Sequence, residues 1–309
     1  MRKCLFSMMS LVCACGAATQ PESAMLAALP SRQTLAVSAP SGDTAAQPQG
    51  STEETAQLYV LTRQTISDVN GLLSGVLGNL EAITKTPPSA VGPDGAAWGP
   101  LSDALSPVAW RLVINRLAPD QHAFQLDIRP KDGTDADFQP FLQGASEGTS
   151  QDIPGQGTFS VDLTVAQTLD PVGNPNVGQV VASWAVLPDR REVHVALAGV
   201  HAPTAPAVTA DVGAVLFPDG TGALSFDASA SLSAGGEVLD VGRVGSRWVS
   251  SGAGRADAEV HRLDGGLGVQ LTECWNTSFD QVYVRGETSS GDGGTAGDPA
   301  ACVFADALQ

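Results

Sequence analysis

The sequence predicts a mainly β fold: a curved antiparallel meander, or half-barrel, packed on one long helix. Three observations carry that expectation. One sustained 3.6-period apolar stripe occurs before residue 88, short period-2 runs follow beyond residue 107, and turn-forming clusters of Pro, Asp and Gly separate those runs.

The helix is expected over 51–88. Ser51 and Glu54 have the spacing of a capping box, and Glu53 and Glu54 suit the positive end of a helix dipole. Ile66, Val69, Leu73, Val76, Leu80 and Ile83 recur at spacings of three and four, which places them on one face, and Pro87 and Pro88 end the run. Gly71, Gly75 and Gly78 sit beside this stripe, although each glycine costs a helix about 1 kcal/mol relative to alanine. They either mark a break near Asn70 or let another backbone or a ligand come close. The Gly71–Gly75 spacing also mimics that of paired membrane helices, but Arg63, Asp68, Glu81 and Lys85 argue against insertion.

The β body is expected over 89–285, in the same domain. In "FQLDI" Phe124, Leu126 and Ile128 alternate with polar residues, as do Phe159, Val161, Leu163 and Val165 in "FSVDLTV". "EVHVAL" and "LSFDAS" repeat the pattern, with "LAPDQH", "LPDRRE" and "FPDGTG" as turns, for about ten or eleven strands. Alternation gives each strand one wet and one dry face, and a single helix must help cover the dry one. A half-barrel with the helix in its concavity satisfies this, and so does a two-sheet β-sandwich with the helix at one edge. Residues 286–309 read as a Gly/Asp-rich loop and C-terminal segment, tied back to the body by a disulfide.

The first fifty residues predict export. Arg2 and Lys3 precede an uncharged run, "CLFSMMSLVCA", as in a signal peptide over 1–14. That run is shorter than the roughly 20 residues of a spanning helix. "CACGAA" offers small residues for ordinary signal peptidase, whereas "VCAC", Val12 to Cys15, resembles the lipobox of bacterial lipoproteins, with Cys13 as a departure. The resemblance implies lipid attachment at Cys15, and Gly16 after it implies the outer membrane, facing the periplasm or the cell surface. Residues 15–50, rich in Ala, Pro, Ser, Gln and Thr, are expected to be a flexible tether.

Of the five cysteines only Cys274 and Cys302 lie in the body, and in an oxidising compartment that pair predicts a disulfide. Losing Arg2 and Lys3 with a leader leaves 14 of the 16 basic residues against 33 acidic ones, a net charge of −19. Nucleic acid is excluded as a partner, because binding it is dominated by Lys and Arg.

The chemical signals are sparse. "GASEG", Gly144–Gly148, has the spacing of a nucleophile elbow around Ser146, but Pro154 and the glycines of "PGQG" cannot form the helix that must follow. It reads as a solvated hairpin loop. His122, His194, His201 and His261 form no paired metal motif, and His194 reads as an ordinary strand histidine. Asp132, Asp135 and Asp137, and separately Asp170, Asn174 and Asn176, are oxygen-rich but lack the order of an EF-hand, so they read as turns. "SSGDGGTAGDP", 289–299, reads as the mobile interior of the disulfide loop. Trp110, Trp184, Trp248 and Trp275 read as packing. No cofactor and no metal is expected.

By the order of its elements, the chain resembles the LolA and LppX lipoprotein carriers, in which a half-barrel closed by helices holds acyl chains. "WGPLSDAL", "GAGRADAEV" and "ECWNTSFDQVY" resemble phrases of envelope lipoproteins without an assigned activity. These resemblances imply a non-enzymatic, lipid-anchored envelope protein that binds an acyl chain or similar apolar ligand between sheet and helix. A structural or protein-interaction lipoprotein with a filled core is the alternative, its protein partner unknown. An enzyme with scattered catalytic residues ranks third.

Overall fold

The structure is a computed structural model, and it describes residues 20–41, 54–148, 155–205, 207–230, 239–240, 242–262 and 268–307. Cys15 and its lipobox, the leader and Ser51 of the expected capping box lie outside the described residues.

Four helices are described: α1 (Gln20–Ala27), α2 (Arg32–Leu35), α3 (Gln57–Thr84) and α4 (Leu163–Leu169). The strands are β1 (Ala90–Gly92), β2 (Gly95–Leu101), β3 (Val108–Ala118), β4 (Gln121–Pro130), β5 (Gln139–Glu147), β6 (Gln156–Asp162), β7 (Val177–Val186) and β8 (Arg191–His201). They continue as β9 (Val208–Leu216), β10 (Gly222–Ala230), β11 (Leu239–Asp240), β12 (Arg243–Trp248), β13 (Gly254–Arg262), β14 (Val269–Trp275), β15 (Gln281–Thr288) and β16 (Gly293–Gly297). Fifteen of them follow one antiparallel path in sequence order, β1–β10 then β12–β16, while β11 pairs with β13. The fold is therefore mainly β, in one open sheet, which sets aside the two-sheet alternative.

The expectation of one long helix over 51–88 as the first element is corrected. α1 and α2 precede it, and α3 starts only at Gln57. Before that point the backbone is already committed to the sheet: the Gln281 amide donates to the Glu54 carbonyl at 2.9 Å, and the Ala56 amide to the Phe279 carbonyl at 3.0 Å. A second correction falls on "FSVDLTV". Its strand stops at Asp162, whose carboxylate accepts from the Thr164 amide at 3.0 Å and caps α4, so Leu163 and Val165 are helical.

Ile66, Val69, Leu73, Val76, Leu80 and Ile83 are all buried on α3, in one core with inward residues of β2–β12. At its start α3 meets β14, where Leu58 contacts Glu273; just past its end the Thr86 carbonyl meets Trp98 of β2. Those strands lie eleven spacings apart along the sheet, roughly 53 Å at 4.8 Å each. The helical stretch between them is only about 42 Å long. The sheet must bow for one helix to reach both.

Part of that bow is written into glycine. Phe124 pairs across strands with Gly144, Trp184 with Gly157, Trp248 with Gly222 and Trp275 with Gly254. In each case a Cβ built on the glycine would lie 2.4 or 2.5 Å from the ring. The rings lie over bare backbone on the inner face, a device that closes and curves a sheet. Trp248 and Trp275 are buried, and Trp110 packs edge-on against Phe141 at 5.2 Å.

Candidate functional site

α3 begins on a platform built by the chain's last third. Its N-cap residue, Ala56, has no side chain to satisfy the first amides, so Glu273 of β14 reaches in from the sheet and accepts from the Leu58 amide at 2.5 Å. Burial pushes the Glu273 carboxyl above its ordinary value, against the opposing pull of the Leu58 and Gln57 amides. Tyr59 stacks on Phe279 at 4.2 Å and leans on Trp275, whose indole donates to the Gly252 carbonyl at 2.8 Å. Thr62 and Ser246 share a buried hydrogen bond of 2.6 Å. Cys274 and Cys302 are bonded, 2.10 Å between sulfurs. "ECWNTSFDQVY" and "GAGR" thus secure one end of the helix, and Trp98 of "WGPL" secures the other.

The glycines of α3 have two different roles. At Gly78 a Cβ would come within 3.3 Å of the Arg32 guanidinium, which pairs with Glu81 at 3.0 Å, so this glycine admits α2. Gly71 and Gly75 are different: both are solvent-exposed, and nothing lies within 4 Å of either Cβ position. They open onto a cleft of about 360 Å³, walled by Leu72, Val76, Phe141, Leu163 and Ala166 and rimmed by Asn79, Asn174 and Asn176. The helix runs unbroken through Asn70. Its exposed glycines border a surface groove between α3, α4 and the 173–176 loop, of mixed polar and apolar lining and within the size range of small-molecule sites, about 300–1,000 Å³.

Residues 20–41, expected to belong to a tether, instead form a strap across the concave face. Met25, Ala28, Leu35 and Val37 are buried in the main core. Asn70 brackets the strap, accepting from the Val37 amide at 2.9 Å and donating to its carbonyl at 2.8 Å. Arg191 donates to the Gln33 and Ala36 carbonyls, both at 2.6 Å. Burial of its guanidinium lowers the arginine's pKa. The composition concealed this because the apolar anchors, with Leu26, Leu29 and Ala39 packed beside them, recur without a helical or strand period.

Ser146 is not in a loop. It lies within β5, buried, and its hydroxyl donates to the Ala28 carbonyl of the strap at 2.7 Å. There is no elbow, since the serine sits in regular strand pairing with His122 of β4 and Gly157 of β6. His122 in turn pairs with Arg116 of β3. The row Arg116, His122, Ser146 thus crosses three neighbouring strands at one rim of the sheet, with Trp184 over Gly157 beyond it.

This row is poorly satisfied. His122 is 3% exposed, and neither ring nitrogen has a hydrogen-bond partner; the Arg116 Nε is likewise buried and unpartnered. Each unmet buried polar group costs about 1–3 kcal/mol. Burial, then the Arg116 charge, push the imidazole below the ordinary histidine value despite Asp120, so it is neutral at pH 7. Beside the row is a cleft of about 460 Å³, lined by His122, Ser146, Leu117 and Trp184, with Glu147 held by Gln121 and Gln156 at its edge.

The remaining candidates are used structurally. Asp137 caps its own turn, accepting from Thr134, which lowers its pKa, and Asp170 accepts from the Gly173 amide at 3.0 Å. His194 bonds Asp211 at 2.8 Å on the outer face. Residues 293–297 of the expected mobile loop form β16, paired along β15. Asp127, buried on β4, is bonded by Arg111 at 2.8 Å and by Gln125. Among the described residues no group of three or more His, Cys, Asp or Glu is arranged to hold a metal ion, and no helix is long and apolar enough to cross a membrane. No protein-family model, curated protein or solved structure matches the chain.

Proposed function

We propose that this is a non-enzymatic, lipid-anchored lipoprotein of the bacterial cell envelope that binds an acyl chain or similar apolar ligand between α3 and the sheet. The anchor is Cys15, placed at the outer membrane. The observation that carries the reading is the cleft at Gly71 and Gly75. Two helix positions give up about 1 kcal/mol each relative to alanine, yet no neighbouring group fills the space gained. Stability alone favours alanine at these exposed positions, and the groove they border, with Leu72, Val76, Phe141 and Leu163 in its wall, supports the ligand reading. The helix laid in a bowed sheet supports a half-barrel carrier of the LolA and LppX kind, as an analogy of architecture.

A second reading has its own observation. The strap already covers much of the concave face, as expected of an interaction lipoprotein with a filled core.

The test is native mass spectrometry of the full chain carrying Cys15→Ser, expressed with export into a bacterial envelope, so that no covalent anchor contributes mass. A discrete lipid-sized adduct released by denaturation is expected. A bare mass that persists after incubation with envelope lipids overturns the ligand and favours the second reading. Separately, Cys15→Ser moves the protein out of the membrane fraction; continued membrane association contradicts the anchor.

A further inference from the structure

The glycine cleft leaves the polar row at the other end of β5 unexplained. Buried polar groups are almost always hydrogen-bonded, so two free imidazole nitrogens and a free guanidinium nitrogen on adjacent strands are an exception that calls for a partner. Register fixes their proximity: directly opposed residues on antiparallel strands hold their Cβ atoms about 4.5–5.5 Å apart, and Arg116, His122 and Ser146 are opposed in turn. Among the described residues Arg116 has no ion-pair partner, whereas Glu147, the acid at the cleft, is already engaged by Gln121 and Gln156. The unmet groups are two donors, a guanidinium Nε–H and one imidazole N–H, and one acceptor, the other imidazole nitrogen. Beside them Trp184 and Leu117 supply apolar surface.

We infer that the Arg116–His122–Ser146 row is a second binding site, for a small monocarboxylate with an apolar body. One carboxylate oxygen takes the Arg116 Nε–H, the other the His122 N–H, and the apolar body lies in the cleft against Trp184. A charge-assisted bond from arginine to carboxylate is the strong contact here, and the neutral imidazole adds a directed one. The strap covers this row: α1 packs against β3, and two strands on, Ser146 holds the Ala28 carbonyl. The chain must cross β4 at the level of His122 between those points. Entry of the carboxylate therefore lifts the strap near Ala28. This site goes beyond the acyl-chain cleft and does not depend on it.

The probe is benzoate, with benzyl alcohol as the neutral control, titrated into the full chain by calorimetry and followed by NMR of the histidine ring nitrogens and the Ala28 amide. Benzoate is expected to saturate one site, with benzyl alcohol at least about tenfold weaker, because only the carboxylate satisfies both donors. The His122 ring and Ala28 amide signals should shift together. Arg116→Gln and His122→Phe should each weaken benzoate about tenfold or more, while Gly75→Leu, which fills the other cleft, leaves it unchanged. The ring-nitrogen readout uses the unaltered chain, so it decides the matter even if a variant fails to fold. Equal affinity for benzyl alcohol, an unmoved His122 ring at saturation, or no response at about 10 mM benzoate overturns the inference.

Discussion

The platform under the start of α3 and the polar row on β3–β5 are both patches of buried polar groups on the inner face of one sheet, yet they are built in opposite ways. At the platform the helix amides are capped by Glu273, Thr62 meets Ser246, the Trp275 indole has its carbonyl, and a disulfide ties the C-terminal segment down. At the row, His122 and the Arg116 Nε have no partner. A satisfied network makes a unique, rigid structure, while an unsatisfied one costs stability and marks a place where something else completes it. The exposed Gly71 and Gly75 likewise give up helix stability, beside a groove of mixed polar and apolar lining.

The largest effects should come from breaking the platform. Replacing Cys274 and Cys302 with serine opens a 28-residue separation and should cost about 3–4 kcal/mol on the chain-entropy view, read by denaturant unfolding. A loss below about 1 kcal/mol would mean that the neighbouring hydrogen bonds already hold the C-terminal segment. Next is the strap. Asn70→Ala removes both bonds to Val37 and should cost about 1–3 kcal/mol while making residues 20–41 susceptible to limited proteolysis. An intact strap in that variant would show that the buried anchors and the Arg191 and Ser146 hydrogen bonds hold it without Asn70.

Smaller effects sharpen the contrast. The Glu273 pKa is raised, so the folded state holds that proton more tightly than the unfolded chain. The stability tied to it is greatest below the ordinary value of 4.5 and is lost as pH rises through the folded value. Glu273→Gln, which keeps an acceptor for the helix amides, should flatten that decline in melts across pH 4 to 8, to within about 1 kcal/mol. A steeper decline in the variant would reverse the assignment. Smallest of all, Gly71→Ala should stabilise the ligand-free protein by about 0.5–1 kcal/mol, because its new methyl meets nothing. A destabilised variant would show that the cleft is already tightly filled.

The antiparallel meander was legible in the sequence because alternation and turn chemistry are local signals, and the Cys274–Cys302 pair because only two cysteines remain in the body. The α3 stripe was legible for the same reason, but its start was not. Glu54 has the look of a capping residue, whereas the actual cap, Glu273, lies over two hundred residues away and answers to tertiary structure alone. Strand β16 was hidden by a glycine-rich composition with no alternation to read. The strap was hidden because a few anchors held by hydrogen bonds to its backbone leave no periodicity. The candidate site was the least legible: Gly71 and Gly75 were visible as anomalies, but His122 carries no motif, the elbow-like spacing around Ser146 points to the wrong structure, and strand register brings the two together.

The central claim, that the helix glycines exist to admit an apolar ligand, is tested most directly by titrating a fluorescent fatty acid into the full chain and into Gly75→Leu. The account predicts saturable binding of one molecule per chain in the native sequence and at least about tenfold weaker binding in the variant, with the melting temperature unchanged or raised. Equal binding by both chains, or none by the native one, contradicts it.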